Sequence, residues 1–423
     1  MSNLDDESIK HNTSSTQELS LKPLLLSHFT ATSCIGQGLQ QTLDALRQGK
    51  PGLKPCDFET VDLSTFIGEV NGINMLKMPA DMPDYNCRNN RLAQLGLQQD
   101  GFNNAVHIAT EKYGRDRIGV FIGTSTSGIL ETEVAFRNRD ALTGALPADF
   151  VYSKTQNTYS VADFTRQYFK LTGPAVAVSS ACSSSAKVFS VARRMIEAGL
   201  IDAAIVGGVD TLCLTTLYGF NSLGLLSAQA CRPYDTARDG ISIGEAAAFA
   251  LLEKPDANLK PDAILLLGIG ESSDAYHMSS PHPEGLGARM AMQQALQTAG
   301  LTPTDIDYIN LHGTATPSND AAEAKAVTAV FGAATPPCSS SKGATGHTLG
   351  AAGAVEAVIC ALALQHGFIP GGLNTAEVDP ILNMNYQLKN SNQALARAMS
   401  NSFGFGGTNC SLIFGLAQAE RPN

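Results

Sequence analysis

The chain of 423 residues has no tryptophan and few charged residues. Charged residues make up 16% of the sequence, against roughly 25% in ordinary soluble domains. A disordered protein would be rich in charge, so this composition excludes one and predicts that surface is hidden, for instance in a subunit interface. The net charge of −10 argues against unspecific binding to nucleic acid or to an anionic membrane. The composition excludes neither a local basic patch nor a small-molecule site.

The nine cysteines are widely spaced and include no Cys-x-x-Cys pair. This pattern disfavours a disulfide framework or a cysteine-rich zinc site and favours a reducing compartment. No apolar run approaches the roughly 18 residues of a membrane span, the longest being short segments such as Ala263–Gly270 and Val358–Leu364. The N-terminus is polar and acidic and lacks the basic and apolar regions of a secretory signal. We therefore expect residues 1–20 to be a flexible tail and the protein to be cytoplasmic.

Short aliphatic or β-branched runs alternate with longer alanine-rich stretches. Apolar runs separated by helices are typical of a sheet covered on both faces, so the pattern predicts an α/β protein. The predicted strands are Ile118–Gly123, Ala175–Ser180, Ala203–Val209, Ala247–Glu253, Ala263–Gly268, Ile306–Leu311 and Cys410–Phe414. The predicted helices are Ser184–Ala198, Gly287–Ala299, Asp320–Phe331 and Ala351–His366.

One strand–turn–helix pattern occurs twice. Residues 175–200 contain a predicted strand, a turn of small residues and an alanine-rich helix, and residues 337–364 contain a short strand, a glycine-rich turn and another alanine-rich helix. Such a repeat predicts two similar halves, which we place at residues 21–257 and 258–423, divided at a polar linker. A crevice between two halves is a common place for a site.

Cys182 is the first candidate for catalysis. It follows an apolar strand and precedes a predicted helix in the segment VSSACSSSA, as in a strand–turn–helix nucleophile elbow without its glycines. The positive end of a helix lowers the pKa of a thiol, and small neighbours leave room for a substrate. The alternative is a buried cysteine packed as a small apolar residue, which is what we expect for most of the other eight.

Two histidines are the next candidates. His312 ends a strand and enters a loop, NLHGTATPSND, whereas His347 stands in the glycine-rich turn SKGATGHTLG. Loops at strand ends carry site residues more often than other segments. A single histidine is more often a hydrogen-bonded structural residue. Two of them in comparable loops, together with Cys182, predict covalent thiol catalysis assisted by two imidazole donors.

A glycine-rich segment, Asn401–Asn409, lies near the C-terminus. It is either a tight turn with two buried phenylalanine rings or a flexible flap whose backbone N–H groups bind an oxyanion. The glycines of residues 343–353 do not form the ordered G-x-G-x-x-G of a dinucleotide loop, and neither a phosphate-binding loop nor an H-E-x-x-H zinc motif occurs.

Together these segments resemble the β-ketoacyl-acyl carrier protein synthases, the decarboxylating condensing enzymes of the thiolase superfamily. The resemblance is specific and runs from about residue 118 to the C-terminus. The motifs that carry it, in the order of the family, are Ser180-Ala-Cys182-Ser, Gly207-Gly-Val-Asp210, Arg232-Pro-Tyr-Asp235 with Arg238-Asp-Gly240, Asp274-Ala-Tyr-His277, His312-Gly-Thr-Ala-Thr-Pro317, Lys342 with Gly346-His347, and Ser402-Phe-Gly-Phe-Gly-Gly407.

The resemblance implies a fold, a substrate class and partners. The fold would be a thiolase-like duplicated five-layered α/β/α/β/α sandwich. The enzyme would bind no metal and no cofactor of its own, and would act on phosphopantetheine-linked acyl and malonyl groups of acyl carrier protein. It would form a homodimer, which fits the low charge content, with a heterodimer with a second ketosynthase-like subunit as the alternative.

The roles of five residues also follow from the resemblance. Cys182 would take an acyl chain as a thioester, and His312 and His347 would hydrogen-bond the malonyl thioester carbonyl while carbon dioxide leaves. Lys342 would support His347 electrostatically, and Glu323, eleven residues after His312, matches an acidic residue near the family's active site. A thiol is both nucleophile and leaving group, and two neutral imidazoles stabilise an enolate without protonating it.

Further roles follow in the same way. The backbone N–H groups of Cys182 and Phe405 match the oxyanion hole, and Phe403 and Phe405 match the gating flap. Thr314 and Thr316 match positions that contact the phosphopantetheine arm.

The sequence departs from the family at Thr126, which stands where glycine or an aliphatic residue usually lines the acyl pocket. A polar residue there favours a secondary-metabolite pathway, polyketide or polyene, over fatty-acid elongation. Docking of an acidic carrier protein on this acidic chain requires a local basic patch. Arg137 and Arg139 are candidates for it, and an ordinary solvated charged face is the equal alternative.

The sequence leaves two other classes of function to compare with a condensing enzyme. A non-catalytic or partner-dependent chain-length subunit suits the low charge and Thr126, but Cys182, His312 and His347 are all intact and argue against it. A Cys–His acyl hydrolase explains Cys182 and one histidine but neither the second histidine nor Lys342.

Overall fold

The structure is a computed structural model that describes residues 22–332 and 335–418; the tail predicted at 1–20 lies outside these residues. The strands are β1 (Leu24–Ser33), β2 (Gly36–Gln37), β3 (Lys54–Pro55), β4 (Phe66–Gly68), β5 (Ile118–Gly123), β6 (Ala175–Val178), β7 (Ala203–Asp210), β8 (Ile243–Gly244), β9 (Ala246–Glu253), β10 (Ile264–Ser273), β11 (Tyr308–Asn310), β12 (Cys338–Ser339), β13 (Phe368–Ile369), β14 (Ser391–Asn392), β15 (Arg397–Gly404) and β16 (Thr408–Leu416). The α-helices are α1 (Leu39–Gln48), α2 (Arg88–Leu97), α3 (Phe102–Tyr113), α4 (Ile129–Arg137), α5 (Ser160–Tyr168), α6 (Ser184–Glu197), α7 (Leu214–Ser222), α8 (Leu286–Ala299), α9 (Pro317–Phe331), α10 (Lys342–Thr345) and α11 (Ala352–His366).

Two sets of strands repeat one topology. The first set has the spatial order β6-β5-β7-β9-β1 and the second the order β12-β11-β15-β16-β10. In both sets the fourth strand in this order, β9 or β16, is antiparallel to its two neighbours, and the remaining pairs within the set are parallel. The sets join where Leu24–Leu26 pairs with Ile264–Leu266. The predicted duplication of the fold is therefore present strand by strand.

Helices form three layers around the two sets of strands. α6 and α11 pack on each other and on strands of both sets, so they lie between the sheets. α2, α3 and α5 cover the outer face of the first sheet, and α8 covers that of the second with α9 against it. The protein is thus an α/β/α/β/α sandwich, as predicted.

Glycines let the central helix α6 approach its neighbours closely. A Cβ on Gly123 of β5 would lie 2.3 Å from the Ser185 nitrogen, and one on Gly353 of α11 would lie 2.7 Å from the Cβ of Ala186. Any side chain at these positions would push α6 away. The first turn of α6, which follows Cys182, is therefore held close to both β5 and α11.

The predicted strands and helices are all present, with ends that differ by a few residues. The strand predicted at Ile118–Gly123 is reproduced to the residue, and the strand predicted at Ile306–Leu311 is limited to Tyr308–Asn310. The connection at residues 254–263 separates β9 from β10, where the sequence predicts a linker.

One helical segment needs separate comment. Among the described residues, Leu349–His366 is the segment long and apolar enough to cross a membrane, with a hydropathy of 1.5. Glu356 interrupts this segment, so the sequence shows no uninterrupted apolar run there. However, 89% of the segment is buried inside the protein, as expected for the central helix of a sandwich.

Candidate active site

Cys182 lies in the tight connection between β6 and α6. Ala181 has a left-handed φ of 52°, and the Ser184 hydroxyl accepts the Ser180 N–H at 2.9 Å while donating to the Ala181 carbonyl at 2.5 Å. These bonds replace regular pairing in a sharp turn. The turn places a buried thiol just before the first turn of α6.

The environment of the thiol has opposing effects on its pKa. Burial raises the pKa of Cys182 to about 11, although the charge of Lys342 and the Phe405 N–H both lower it. The prediction that the helix end gives a low pKa is thus wrong for the unliganded protein, because desolvation outweighs the favourable groups. The thiol is protonated at rest.

His312 follows β11 at the edge of the second sheet. Its backbone N–H donates to Glu323 at 2.8 Å, and its backbone carbonyl accepts from the Lys342 ammonium. The Lys342 Nζ also lies 3.3 Å from His312 Nδ1. An ammonium only donates, so Nδ1 is the acceptor and the proton of the neutral ring is on Nε2. Burial first, then the charges of Lys342 and His347, lower the pKa of His312 well below its usual range.

His347 lies in the turn between α10 and α11. Its backbone N–H donates to the Ser242 carbonyl at 2.7 Å, and its backbone carbonyl accepts from the Gly244 N–H at 2.9 Å. The Leu349 N–H donates to His347 Nδ1 at 3.1 Å, so this ring also carries its proton on Nε2. Burial, followed by Lys342, lowers the pKa of His347 well below its usual range.

The three side chains converge. One ligand atom from each of Cys182, His312 and His347 lies within 4.8 Å of the others, and the two imidazole rings are 5.4 Å apart at 84°. Such donors would also suit a zinc ion, but with both Nδ1 atoms accepting, the rings present N–H groups. A thiol facing two neutral N–H donors can form a thioester and stabilise negative charge on a nearby carbonyl oxygen.

Lys342 and Glu356 form a buried ion pair beneath the histidines. Both side chains are 2% exposed, and the Lys342 Nζ contacts Glu356 Oε1 directly. Burial raises the pKa of Glu356 to about 7, while Lys342 lowers it. Sequence analysis missed Glu356, which stands in an alanine-rich helix; a lone acidic residue on an otherwise apolar helix was the available signal.

Glu323 supports the His312 loop rather than facing the thiol. Its two oxygens accept the N–H groups of His312 and Gly313 at 2.8 Å each, and it accepts a longer bond from Tyr234. Burial raises the pKa of Glu323 to about 7, against the two backbone donors that lower it. Asp320 accepts the Thr314 N–H at 3.0 Å in the same loop.

A cleft of about 580 Å³ opens over the three side chains. Thr314 and Thr316 line it with their hydroxyls 2.9 Å apart. Phe403, at the end of β15, packs edge-on against the His312 ring with 6.0 Å between the ring centroids. The Phe405 ring packs on Phe220 with 5.7 Å between the centroids. The glycine-rich segment is a tight hairpin between β15 and β16 that brings the Phe405 N–H to Cys182, and its role as a flexible flap stays a prediction.

Three predicted residues lie apart from this cleft. The Thr126 hydroxyl bonds Asp210 at 2.8 Å and Thr126 is not among the cleft residues. Arg137 ends α4 and lies 3.6 Å from Glu59 and 3.5 Å from Thr60, and Arg139 is an exposed neighbour. Thr126 therefore does not present its hydroxyl to this cleft, and Arg137 faces an acidic residue.

The duplicated fold and the thiol between two imidazole donors define a thiolase-like condensing enzyme. Residues 29–257 match the family model "Beta-ketoacyl synthase, N-terminal domain", and residues 264–376 match "Beta-ketoacyl synthase, C-terminal domain". The chain belongs to the beta-ketoacyl synthase family. It is an acyltransferase with condensing activity in fatty acid or polyketide synthesis, which confirms the family predicted from the sequence.

Similar proteins cover between 74% and 94% of the chain. The mitochondrial 3-oxoacyl-acyl-carrier-protein synthase of Arabidopsis thaliana is 38% identical over 333 residues, which are 74% of this chain and 72% of that protein. The 3-oxoacyl-acyl-carrier-protein synthase 2 of Vibrio cholerae is 32% identical over 94% of this chain and 99% of its own. A solved structure described as the ketosynthase ApeO in complex with its chain length factor ApeC, from Xenorhabdus doucetiae, gives a TM-score of 0.84 at 37% identity, covering 94% of this chain and 98% of that one.

Proposed function

We propose that this chain extends acyl chains held on acyl carrier protein by two carbons, with Cys182, His312 and His347 as the catalytic residues. One observation carries the proposal. Both imidazoles have Nδ1 occupied by a donor, so two Nε2–H groups are left for a substrate next to a buried thiol. A hydrolase needs one imidazole as a base and has no use for this pair of donors.

In the first half-reaction, the Cys182 sulfur attacks the carbonyl carbon of the acyl thioester. The backbone N–H groups of Cys182 and Phe405 stabilise the oxyanion, the phosphopantetheine thiolate leaves, and the cysteine proton ends on that thiol. Phe403 and Phe405 close the cleft, and Thr314 and Thr316 bind the phosphopantetheine arm. The Phe405 N–H directed at Cys182 and the cleft position of both threonines support these roles.

In the second half-reaction, malonyl thioester enters the same cleft. The two imidazoles donate to its carbonyl oxygen while carbon dioxide leaves, and the resulting enolate carbon attacks the carbonyl carbon of the acyl-cysteine. The carbon–carbon bond forms as the carbon–sulfur bond to Cys182 breaks, and the released thiolate takes up a proton from solvent. The pKa of both histidines is low, so neither ring is a cation that would protonate the enolate. Lys342 and Glu323 act as positioning residues through the contacts they make with His312.

The partners of the chain are proposed as acyl carrier protein and a second subunit of the same fold. A solved structure at 37% identity is described as a ketosynthase in complex with its chain length factor, which favours a heterodimer, whereas the low charge content fits a homodimer equally well. Exposed apolar side chains support an interface: Phe136, Leu142, Tyr152 and Val176 are 53%, 97%, 56% and 37% exposed. Val176 is on β6, the last strand of the sheet among the residues that the structure describes.

Three finer assignments remain proposals of the sequence. They are the two halves at residues 21–257 and 258–423, the cytoplasmic location, and docking of the carrier protein at Arg137 and Arg139. The family models leave the gap from 257 to 264 between their two domains, which supports the division. The chain is proposed to need no bound cofactor.

The deciding experiment is intact and peptide mass spectrometry after incubation with a panel of acyl-carrier proteins, without malonyl donor. We expect an acyl adduct confined to the Cys182 peptide, and its yield across the panel ranks the acyl chains. If no donor gives an adduct, alone or with a co-purified ketosynthase-like subunit, the proposed catalytic role is wrong. An adduct that forms only with the second subunit would favour the partner-dependent alternative, and native mass spectrometry then identifies the heterodimer.

A further inference from the structure

Asp210 is a fully buried carboxylate that joins the two halves of the protein. It ends β7, whose neighbour β5 runs parallel with Gly123 opposite Gly208. The carboxyl ends of parallel neighbours lie side by side, so the residues after β5 surround the Asp210 side chain. Hydroxyls of Thr124 and Thr126 donate to it at 2.7 and 2.8 Å.

The Asp210 carboxylate is stabilised by hydrogen-bond donors rather than by a cation. The backbone N–H groups of Ser125 and Thr126 also donate to it, at 2.8 and 2.9 Å, as does the Ser125 hydroxyl. Among the described residues, no ion pair includes Asp210. A buried charge held by this many donors is costly to disturb.

One donor comes from the other half of the protein. The Gly350 N–H reaches Asp210 Oδ2 at 2.6 Å. A Cβ on Gly350 would lie 2.8 Å from that oxygen and 2.9 Å from the Ser125 nitrogen, so the approach requires glycine. Gly350 is in the turn that leads into α11, and the carboxylate therefore also meets the positive end of that helix.

This contact is directly connected to His347. Leu349, between them, has a left-handed φ of 52°, a conformation that a leucine holds only where its surroundings fix it. The Leu349 N–H is the donor to His347 Nδ1, and the next N–H is the one bound by Asp210. Because Asp210 fixes the peptide group that carries the Gly350 N–H, the preceding peptide group, which carries the Leu349 N–H, is less free to rotate.

We propose that Asp210 is a positioning residue for decarboxylation, holding from the N-terminal half the turn of the C-terminal half that orients His347. The inference rests on the proposed function, since it assigns Asp210 to the step that needs the His347 donor. Acyl transfer to Cys182 does not use that donor and depends on Asp210 less.

Asp210→Asn tests the proposal. An amide replaces one acceptor oxygen by an NH₂ group that faces N–H and O–H donors in either orientation. We expect kcat for malonyl decarboxylation to fall about 10- to 100-fold with KM changed less than about threefold. Acylation of Cys182, followed by intact mass, should fall less than about threefold.

Asp307→Asn is the matched control, because Asp307 also accepts two backbone N–H groups, at Ala396 and Arg397, away from His347. The rates of acylation and of decarboxylation in Asp307→Asn should stay within about twofold of those of the parent protein. An equal loss of both half-reactions in Asp210→Asn, or decarboxylation within about twofold of the parent, would overturn the inference. A parent chain with neither half-reaction would instead overturn the proposed function, and the inference with it.

Ser125→Ala provides a second variant in case Asp210→Asn does not fold. Its hydroxyl donates to Asp210 and lies 3.2 Å from the Gly350 nitrogen as an acceptor. The variant should lower kcat for decarboxylation about three- to tenfold and leave acylation within about twofold. The opposite ranking of the two half-reactions would count against the proposal.

Discussion

The two halves use one strand–turn–helix frame for different chemistry. In the N-terminal half, the connection from β6 to α6 is short, and the nucleophile Cys182 stands directly before the helix. In the C-terminal half, the connection from β12 to α11 is longer and contains α10, which brings in Lys342 and then His347. Where the first connection carries a nucleophile, the longer one carries the hydrogen-bond donor His347 and the supporting Lys342. A duplicated fold can thus supply both partners of a reaction by changing the length of one loop.

The largest effect on the condensation rate is expected when the nucleophile in the turn of the N-terminal half is removed. In Cys182→Ala no thioester can form, so condensation should fall at least about 10³-fold, because covalent catalysis is lost. The absence of an acyl adduct in the intact mass checks the cause. Cys56→Ala is the control, since Cys56 is a partly exposed thiol outside the cleft. Condensation that continues at the parental rate in Cys182→Ala would show that another group is the nucleophile.

Removing the donors of the C-terminal half should have the next largest effect. His347→Ala and His312→Ala each delete one Nε2–H, so decarboxylation of malonyl thioester should fall about 10²- to 10³-fold, as for loss of an oxyanion-hole donor. Acylation of Cys182 should survive in both. The two half-reactions are measured separately, by carbon dioxide release and by intact mass. If His347→Ala loses acylation as well, the division of labour between the halves is wrong.

The pattern of the sequence predicts the duplicated frame and the catalytic side chains, because both leave local signals. The buried strand Ile118–Gly123 is a continuous apolar run, and Cys182, His312 and His347 stand in small-residue loops beside such runs. Strands β1 (Leu24–Ser33) and β15 (Arg397–Gly404) were not predicted. β1 begins with a leucine run but continues into mixed polar residues, and the strand at β15 was hidden by the glycine motif that ends it.

The supporting groups could not be predicted, because their partners are distant in sequence. Asp210 meets Gly350 across 140 residues, and Arg88 meets Glu245 across 157. No local pattern marks such pairs. The bond between the Thr126 hydroxyl and Asp210 likewise has no local signal in the sequence, and the place of Thr126 in the acyl pocket stays a prediction. The raised pKa of Cys182 depends on burial, which a helix end seen in the sequence does not report.

Breaking the ion pair below the histidines should mainly affect stability. In Glu356→Gln the Lys342 ammonium stays buried without its counter-charge, which costs about 3 to 5 kcal/mol of unfolding free energy. Urea titration measures the loss. The control is Glu284→Gln, which breaks an exposed pair with Lys325 and should leave the midpoint unchanged. Equal midpoints for both variants would show that the buried pair does not stabilise the C-terminal turn.

The two half-reactions should differ in their pH dependence. Since burial raises the pKa of the Cys182 thiol to about 11, the thiolate fraction grows with pH, and acylation should rise from about pH 6 to about pH 8. The pKa of both histidines is lowered, so the rings stay neutral as the pH falls through the usual histidine range. Burial raises the pKa of Glu323 and Glu356 to about 7, so a fall of decarboxylation between about pH 8 and about pH 6 should come from protonation of these two carboxylates and not of the rings. Stopped assays of each step at constant ionic strength test this. A fall near pH 6.5 that persists in both Glu323→Gln and Glu356→Gln would mean that a ring titrates normally.

The smallest expected effect concerns the outer surface of the N-terminal half. Arg137→Glu adds repulsion toward an acidic carrier protein, yet Arg137 already lies beside Glu59, so its charge is partly balanced. We expect KM for the carrier protein to rise about two- to fivefold at low salt, with kcat unchanged, and the difference to shrink as salt screens the charges. Lys260→Glu makes the same charge change on the exposed linker between the halves and should leave KM unchanged. Equal KM values for both variants at low salt would remove Arg137 from the docking surface and direct the search to other basic residues around the cleft.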